Sequence, residues 1–175
     1  MRFCPRTITL PAAICAIVGA LLTPAKAPAA GDAGALVIVV NKSTFTMMLS
    51  TKEAKQMYLG ERLRWPDGKK VVTVLPPADG PEFGTVLKVI IGMSEGEYKR
   101  FLMQASFTGK DVTPPRLLNN AAAIKQFVAS TPGAVGCIRA NEADDSVRAV
   151  KLDGAAPGDA AYKLTISQSG KHQGE

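Results

Sequence analysis

The sequence predicts a single α/β domain that follows an amino-terminal export signal. Residues 36–40 form a continuous run of aliphatic and β-branched side chains, which is typical of a strand covered by helices on both faces. Segments with apolar residues at helical spacing then alternate with short apolar runs over residues 31–175. That length suffices for one hydrophobic core, and no repeat or low-complexity stretch follows residue 34.

The first 30 residues have the three regions of a secretory signal peptide. Arg2 and Arg6 form a basic start, residues 8–22 are apolar, and Ala25–Ala30 offers small residues for cleavage. The apolar part is about 15 residues long and contains Pro11, whereas a membrane-spanning helix needs about 20. We therefore expect cleavage near residue 30, release into the periplasm and no membrane span after processing. A retained membrane anchor is the alternative.

The processed chain is predicted to consist of an α/β domain over residues 31–168 and a polar tail over residues 169–175. It carries 18 basic and 15 acidic residues, and this small excess does not indicate nucleic-acid binding. Its one cysteine, Cys137, lies in an apolar run and is expected to be a buried thiol. Its one histidine, His172, lies in the tail. A histidine-dependent enzyme, a metal site or a cofactor is therefore not predicted.

Capping, spacing and turn residues predict the individual elements. Ser50 and Glu53 have capping-box spacing at the start of a short helix, and Gly60 is placed to end it. Trp65–Gly68 is expected to form a turn, with Trp65 packed over the edge of the core. The predicted helices cover residues 50–60, 80–92, 94–108 and 120–128, and the predicted strands cover residues 36–40, 71–75, 134–139, 147–152 and 162–167.

Two groups of short motifs lie in order along the chain. The first comprises residues 39–41, 49–50, 57–60 and 65–68, and the second comprises residues 107–110, 114–115 and 132–136. In this order they resemble periplasmic phosphate-binding proteins of ABC transporters and their short single-lobe relatives. One group is similar to the segment that enters the second lobe of the full-size proteins, and another resembles signatures of the single-lobe relatives. The resemblance implies a single-lobe, three-layer sandwich with a central mixed sheet.

The resemblance also implies a function and a set of binding residues. It implies an exported solute-binding protein for phosphate or another small oxyanion, connected with an ABC transporter. The full-size proteins hold the anion with an arginine, an aspartate and a serine-glycine-threonine turn at a helix start. Gly84-Thr85 is similar to that turn, but residues 78–85 contain no arginine or serine, and the glycine-rich phosphate loop of the first lobe is missing. The alternative is an envelope interaction, accessory or sensor module that has lost its ligand.

Two helix starts are candidate anion sites, because free N–H groups and a partial positive charge are exposed there. The first is the start of the 80–92 helix, where Asp79 as the N-cap and Glu82 in the first turn would repel phosphate. Ordinary helix capping is the alternative role of these two carboxylates. The candidate residues at this first site are Asp79, Gly80, Gly84 and Thr85.

The second candidate site is the connection that leads to the helix start at Ser50. Ligands of open α/β sheets bind beyond the carboxyl ends of strands, and the predicted strand 36–40 ends here. A solvated loop is the alternative. Because a lone lobe lacks an opposite wall, an envelope protein partner or a homodimer would complete either site. The candidate residues at this second site are Asn41, Lys42, Ser43 and Thr44.

Overall fold

The computed structural model describes residues 34–107 and 113–166. The predicted export signal, the predicted helix end at Thr108 and the polar tail lie outside these residues. Within the two described ranges, no helix is long and apolar enough to cross a bilayer. The strands are β1 (Leu36–Val40), β2 (Met48–Leu49), β3 (Val72–Leu75), β4 (Arg116–Leu117), β5 (Ala134–Arg139) and β6 (Arg148–Leu152), and the helices are α1 (Thr51–Tyr58), α2 (Pro81–Val86), α3 (Glu95–Phe107) and α4 (Ala121–Ser130).

The strands form one mixed sheet with the order β2-β6-β1-β5-β3-β4. Strand β1 lies antiparallel to both of its neighbours, β5 and β6. Strand β3 lies parallel to β5 on one side and to β4 on the other, and β2 lies parallel to β6. The α/β class and the central mixed sheet predicted from the sequence are therefore confirmed.

The sheet is covered on both faces, which explains the unbroken apolar sequence of β1. Alternate side chains of a strand point to opposite faces, and all five side chains of β1 are buried. Leu36, Ile38 and Val40 pack into the core beneath α1 and α2, whereas Val37 and Val39 pack against α4. The result is a three-layer sandwich.

The predicted helix starts at Ser50 and Asn120 are confirmed. The Ser50 hydroxyl accepts from the Glu53 N–H at 3.2 Å, and the Glu53 carboxylate accepts from the Ser50 N–H at 3.1 Å. Asn120 caps α4 by accepting from the Ala123 N–H at 2.7 Å. The predicted 80–92 helix is α2 followed by a π-helical turn over Leu87–Ile91, and Gly92 ends it in the left-handed conformation with φ of 72°.

The predicted last strand, residues 162–167, is wrong for the part that the structure describes. Residues 162–166 contribute only an isolated bridge between Thr165 and Ala35. The alternation that suggested a strand is real, since Tyr162 and Leu164 are buried and Lys163 is exposed. The segment cannot pair further along β1, because β5 and β6 already occupy both sides of that strand. It is an irregular segment whose Tyr162 and Leu164 side chains pack into the core on the α1 and α2 face of the sheet.

Candidate functional site

The parallel strands β3 and β5 have their carboxyl ends at the same end of the sheet, and a cavity of about 130 Å3 lies beyond them. Ligands of α/β proteins bind in such crevices beyond the carboxyl ends of strands. Two proline residues after β3, the start of α4 and the end of β5 form its walls. Its lining residues are Pro76, Pro77, Glu82, Asn120, Ala121, Ile124, Cys137, Ile138, Arg139 and Glu142.

An ion pair between Arg139 and Glu82 is the central polar feature of this cavity. Arg139 is the last residue of β5, and its Nε donates to Glu82 Oε1 at 2.7 Å, while its second terminal nitrogen lies 2.5 Å from the same oxygen. The Glu82 side chain is 18% exposed to solvent, and the Arg139 side chain is 38% exposed. A guanidinium group binds carboxylates and phosphates in the same fork geometry. Glu82 therefore occupies the position on Arg139 that an oxyanion would take.

The same carboxylate also covers the start of α2. Gly80, not Asp79, is the N-cap residue, and no side chain caps this helix. The expectation that Asp79 caps the helix is therefore wrong. A Cβ atom on Gly80 would lie 2.7 Å from Glu82 Oε2, so the carboxylate packs directly against the Gly80 backbone. Pro81 follows at the first helical position, where its missing N–H costs nothing.

The other predicted residues of this first site are placed differently from a phosphate turn. The Thr85 hydroxyl donates to the Pro81 carbonyl at 2.8 Å, one turn back along the helix, which is a common bond for an exposed helical threonine. Gly84 is exposed, and nothing lies within 4 Å of the Cβ position. Both residues lie on α2, beyond its first residues. Gly84 and Thr85 resemble an anion-binding turn in sequence, but they do not lie at the start of the helix, where such a turn binds its anion.

The other polar side chains that line the cavity are the Glu142 carboxylate, the Asn120 amide that caps α4, and the Cys137 thiol. The Glu142 carboxylate accepts from the main-chain N–H of Arg139 at 3.3 Å, so a second carboxylate lies beside this residue. Cys137 is 1% exposed, and burial together with the negative charge of Glu82 raises the pKa of its thiol well above the usual value. The thiol stays protonated at neutral pH and is not a nucleophile. Its predicted role as a buried structural residue is confirmed.

The second predicted site lies at the opposite end of the sheet, and Asn41 has a structural task there. Its side-chain nitrogen donates to the carbonyls of Val128 at 2.7 Å and Ala129 at 2.8 Å, at the end of α4. Its oxygen accepts from the Ser43 N–H at 2.9 Å and the Ser43 hydroxyl at 2.7 Å. All hydrogen-bonding positions of this 6%-exposed amide are therefore used by the fold.

The start of α1, which follows the connection 41–50, already has its hydrogen-bond partners within the protein. Besides the Ser50 capping box, the Asp153 carboxylate accepts from the Thr51 N–H at 2.8 Å and the Thr51 hydroxyl at 2.6 Å. These contacts lower the pKa of Asp153, and the backbone bond from Ser50 lowers the pKa of Glu53. Two ionised carboxylates already neutralise the start of α1, which disfavours a bound anion.

The two predicted sites do not form one site. Asn41 bonds to Ala134 at the start of β5, whereas Arg139 ends β5, so five residue rises, roughly 17 Å, separate Asn41 from Arg139. The prediction applied the strand-end rule to β1, but β1 runs antiparallel to β3 and β5. Arg139 was missed, although it closes the predicted strand 134–139. The rule applied to that strand would have selected it.

No family model matches the sequence. Comparison with solved structures finds a number of proteins that share the fold, and three of them illustrate the match. They are an ABC-type phosphate transport receptor from Vibrio cholerae (TM-score 0.60, 21% identity), a putative phosphate ABC transporter substrate-binding protein with bound phosphate from Clostridium perfringens (0.57, 22%) and a possible phosphate-binding protein from Planctomyces limnophilus (0.53, 15%).

These matches define the class of the fold. They cover 80%, 71% and 77% of this chain but only 59%, 47% and 46% of the respective matched chains. The chain therefore spans about half the length of the solved proteins that it matches. It has the periplasmic-binding-protein-like fold of one lobe, as the sequence motifs implied. At these identities the likeness establishes the fold and not the ligand.

Proposed function

We propose that this protein is an exported, non-enzymatic, single-lobe solute-binding protein, with a small oxyanion such as phosphate as the solute class. The observation that carries the proposal is the Arg139–Glu82 pair at the carboxyl ends of β3 and β5. The guanidinium is positioned at the edge of a cavity of about 130 Å3, where a carboxylate of the protein itself now stands in for the anion. An incoming oxyanion would displace Glu82 and bind the arginine.

The arrangement predicts weak binding by the isolated lobe. The oxyanion must compete with Glu82, and Glu142 places a second negative charge beside Arg139. The lobe also supplies only one wall of a cleft, so most of a bound ion would stay in contact with water. A partner lobe that covers the cavity would exclude that water and strengthen the contact with the guanidinium. This is how a single lobe could serve a transporter.

Calorimetry with matched variants tests the oxyanion site. Glu82→Gln keeps the shape of the side chain but removes the competing charge, so phosphate should bind about tenfold more tightly than to the wild type. Arg139→Gln should abolish the heat of binding, because no other cation lies among the residues lining the cavity. Glu61→Gln, an exposed residue outside the lining, should change nothing.

The same titrations decide between the proposal and its alternative. One observation favours an interaction module without a ligand: Glu82 fills the anion position in the folded lobe. If neither the wild type nor Glu82→Gln gives heat or a thermal shift with phosphate or sulfate, the oxyanion proposal fails. The lobe would then act through a protein partner.

Export is part of the proposal and has its own test. The periplasmic-binding-protein-like fold of residues 34–166 and the leader-like composition of residues 1–30 both support delivery to the periplasm. Amino-terminal sequencing of the protein from a periplasmic extract should find a first residue near position 31. A chain that keeps Met1 would contradict cleavage of the signal, and a chain that fractionates only with the cytoplasm would contradict export.

A further inference from the structure

The β2 side of the sheet ends in an edge that is separated from β5 and the Arg139 cavity by β6 and β1. Residues 44–49 run alongside β6, and their main-chain carbonyls accept hydrogen bonds from β6 and from the residue that follows it. The Arg148 guanidinium donates to the Thr44 carbonyl at 2.8 Å, the Lys151 N–H to the Met47 carbonyl at 3.1 Å, and the Asp153 N–H to the Leu49 carbonyl at 2.9 Å. Strand β2, within this segment, is the outermost strand on this side of the sheet.

The outward main chain of Met48 is available for pairing. Peptide groups of successive residues in a strand point to alternate sides, and those of Met47 and Leu49 face β6. The N–H and C=O groups of Met48 therefore point away from β6. In the described part of the chain, no further strand lies on that side. An unpaired edge of this kind is a template for another strand.

The side chains along this edge are apolar and unusually exposed. Phe45 is 85% exposed, Met47 75% and Met48 60%, all within four residues. A small cavity of about 80 Å3 lies beside Phe45, between residues 44–46 and the turn 65–67. The Thr44 hydroxyl in its wall is buried and has no hydrogen-bond partner in the described structure. Exposed apolar side chains along an unpaired strand edge indicate a contact with another protein.

The charge of this edge selects the kind of partner. Lys151 is the cross-strand neighbour of Met48, Lys42 is exposed at the start of the loop, and Lys69 lies 5.8 Å from the centre of the Phe45 ring. Two carboxylates lie near these lysines, and both already have partners: Asp67 pairs with Lys69, and Asp153 accepts from Thr51. A second copy of the chain would bring like charges together, and a lipid surface offers no partner for the Met48 peptide groups.

We propose that the β2 edge, defined as Phe45, Met47, Met48 and the outward peptide groups of Met48, binds an extended acidic segment of a partner protein by strand addition. Main-chain hydrogen bonds to Met48 set the alignment of the added strand. The partner's apolar side chains cover Phe45 and Met47, and its carboxylates pair with the surrounding lysines. This binding does not involve the Arg139 cavity.

A defined peptide tests the proposal on the processed chain. The probe is an acetylated and amidated peptide of alternating glutamate and valine, titrated while amide exchange is followed by NMR. We expect saturable binding, slower exchange of the Met48 N–H, and about tenfold weaker binding of a peptide with lysine in place of glutamate. Methylation of alternate peptide nitrogens in the probe should abolish binding, because it removes donors without changing charge.

Two variants and a control complete the experiment. Met48→Pro removes the outward N–H together with the Met48 side chain, at a position where an edge strand tolerates proline, and should abolish binding while the thermal unfolding temperature stays near that of the wild type. Met47→Ser should weaken binding about tenfold through lost apolar contact, whereas Met103→Ser, at a 59%-exposed position on α3, should have no effect. Equal binding of the methylated peptide would overturn the proposal. So would binding only to phosphatidylglycerol vesicles, self-association through this edge, or no binding of any probe.

Discussion

Replacing Gly133 with alanine is expected to lower the free energy of unfolding by about 2–5 kcal/mol. Gly133 has a φ of 81°, and a Cβ atom there would lie 2.2 Å from the Lys70 carbonyl oxygen. The contact cannot be relieved by a side-chain movement, because the backbone fixes the Cβ position and the Lys70 oxygen is itself a backbone atom. Its own carbonyl accepts from the Trp65 indole at 2.8 Å and the Val72 N–H at 3.1 Å, so a shift would also disturb the start of β3. Urea denaturation measures the loss.

Gly68→Ala is the matched control for this prediction. Gly68 has a φ of 83°, but nothing lies within 4 Å of its Cβ position. This variant therefore carries only the cost of the left-handed conformation, about 1–2 kcal/mol. The difference between the two variants isolates the contact with Lys70. Equal losses for Gly133→Ala and Gly68→Ala would contradict the close packing of this turn.

Asn41→Ala is expected to cost about 2–4 kcal/mol of unfolding free energy. The variant removes all four hydrogen bonds of the buried amide and leaves the Val128 and Ala129 carbonyls at the end of α4 without these donors. Differential scanning calorimetry should show the loss as a lower unfolding temperature. This prediction separates a structural role of Asn41 from the ligand role that the sequence suggested.

Asn119, the exposed residue before the α4 N-cap Asn120, provides the control for Asn41→Ala. Asn119→Ala lies on the surface and should stay within about 0.5 kcal/mol of the wild type. If Asn41→Ala were equally harmless, the connection after β1 would not be held by this amide. That result would favour ligand binding by residues 41–44 over a structural role of Asn41.

Local sequence signals predicted much of the fold. Capping at Ser50, the glycine at Gly92 and the turn at Gly133 placed the ends of helices and the start of β5, because short-range hydrogen bonds and backbone sterics decide these features. Strands β2 and β4 were not predicted, since two residues carry no periodicity. Their pairing depends on where β6 and β3 lie in the sheet.

The candidate site could be predicted only in part, because its central contact is not local. Arg139 and Glu82 are 57 residues apart, and their meeting depends on the parallel pairing of β3 with β5. The sequence pointed to the segment around Glu82 through its likeness to a phosphate-binding turn. It gave no strand directions, so the end of β1 was selected in place of the end of β5.

Phosphate titration followed by NMR chemical shifts of the processed chain is the most direct test of the oxyanion site. A phosphate ion held by Arg139 should shift the amide signals of Arg139, Glu82 and the first residues of α4, and these shifts should grow in the Glu82→Gln variant. The signals of residues 41–44 should not move. Shifts confined to residues 41–44, or none at either end of the sheet in both proteins, would contradict a solute site at the carboxyl ends of β3 and β5.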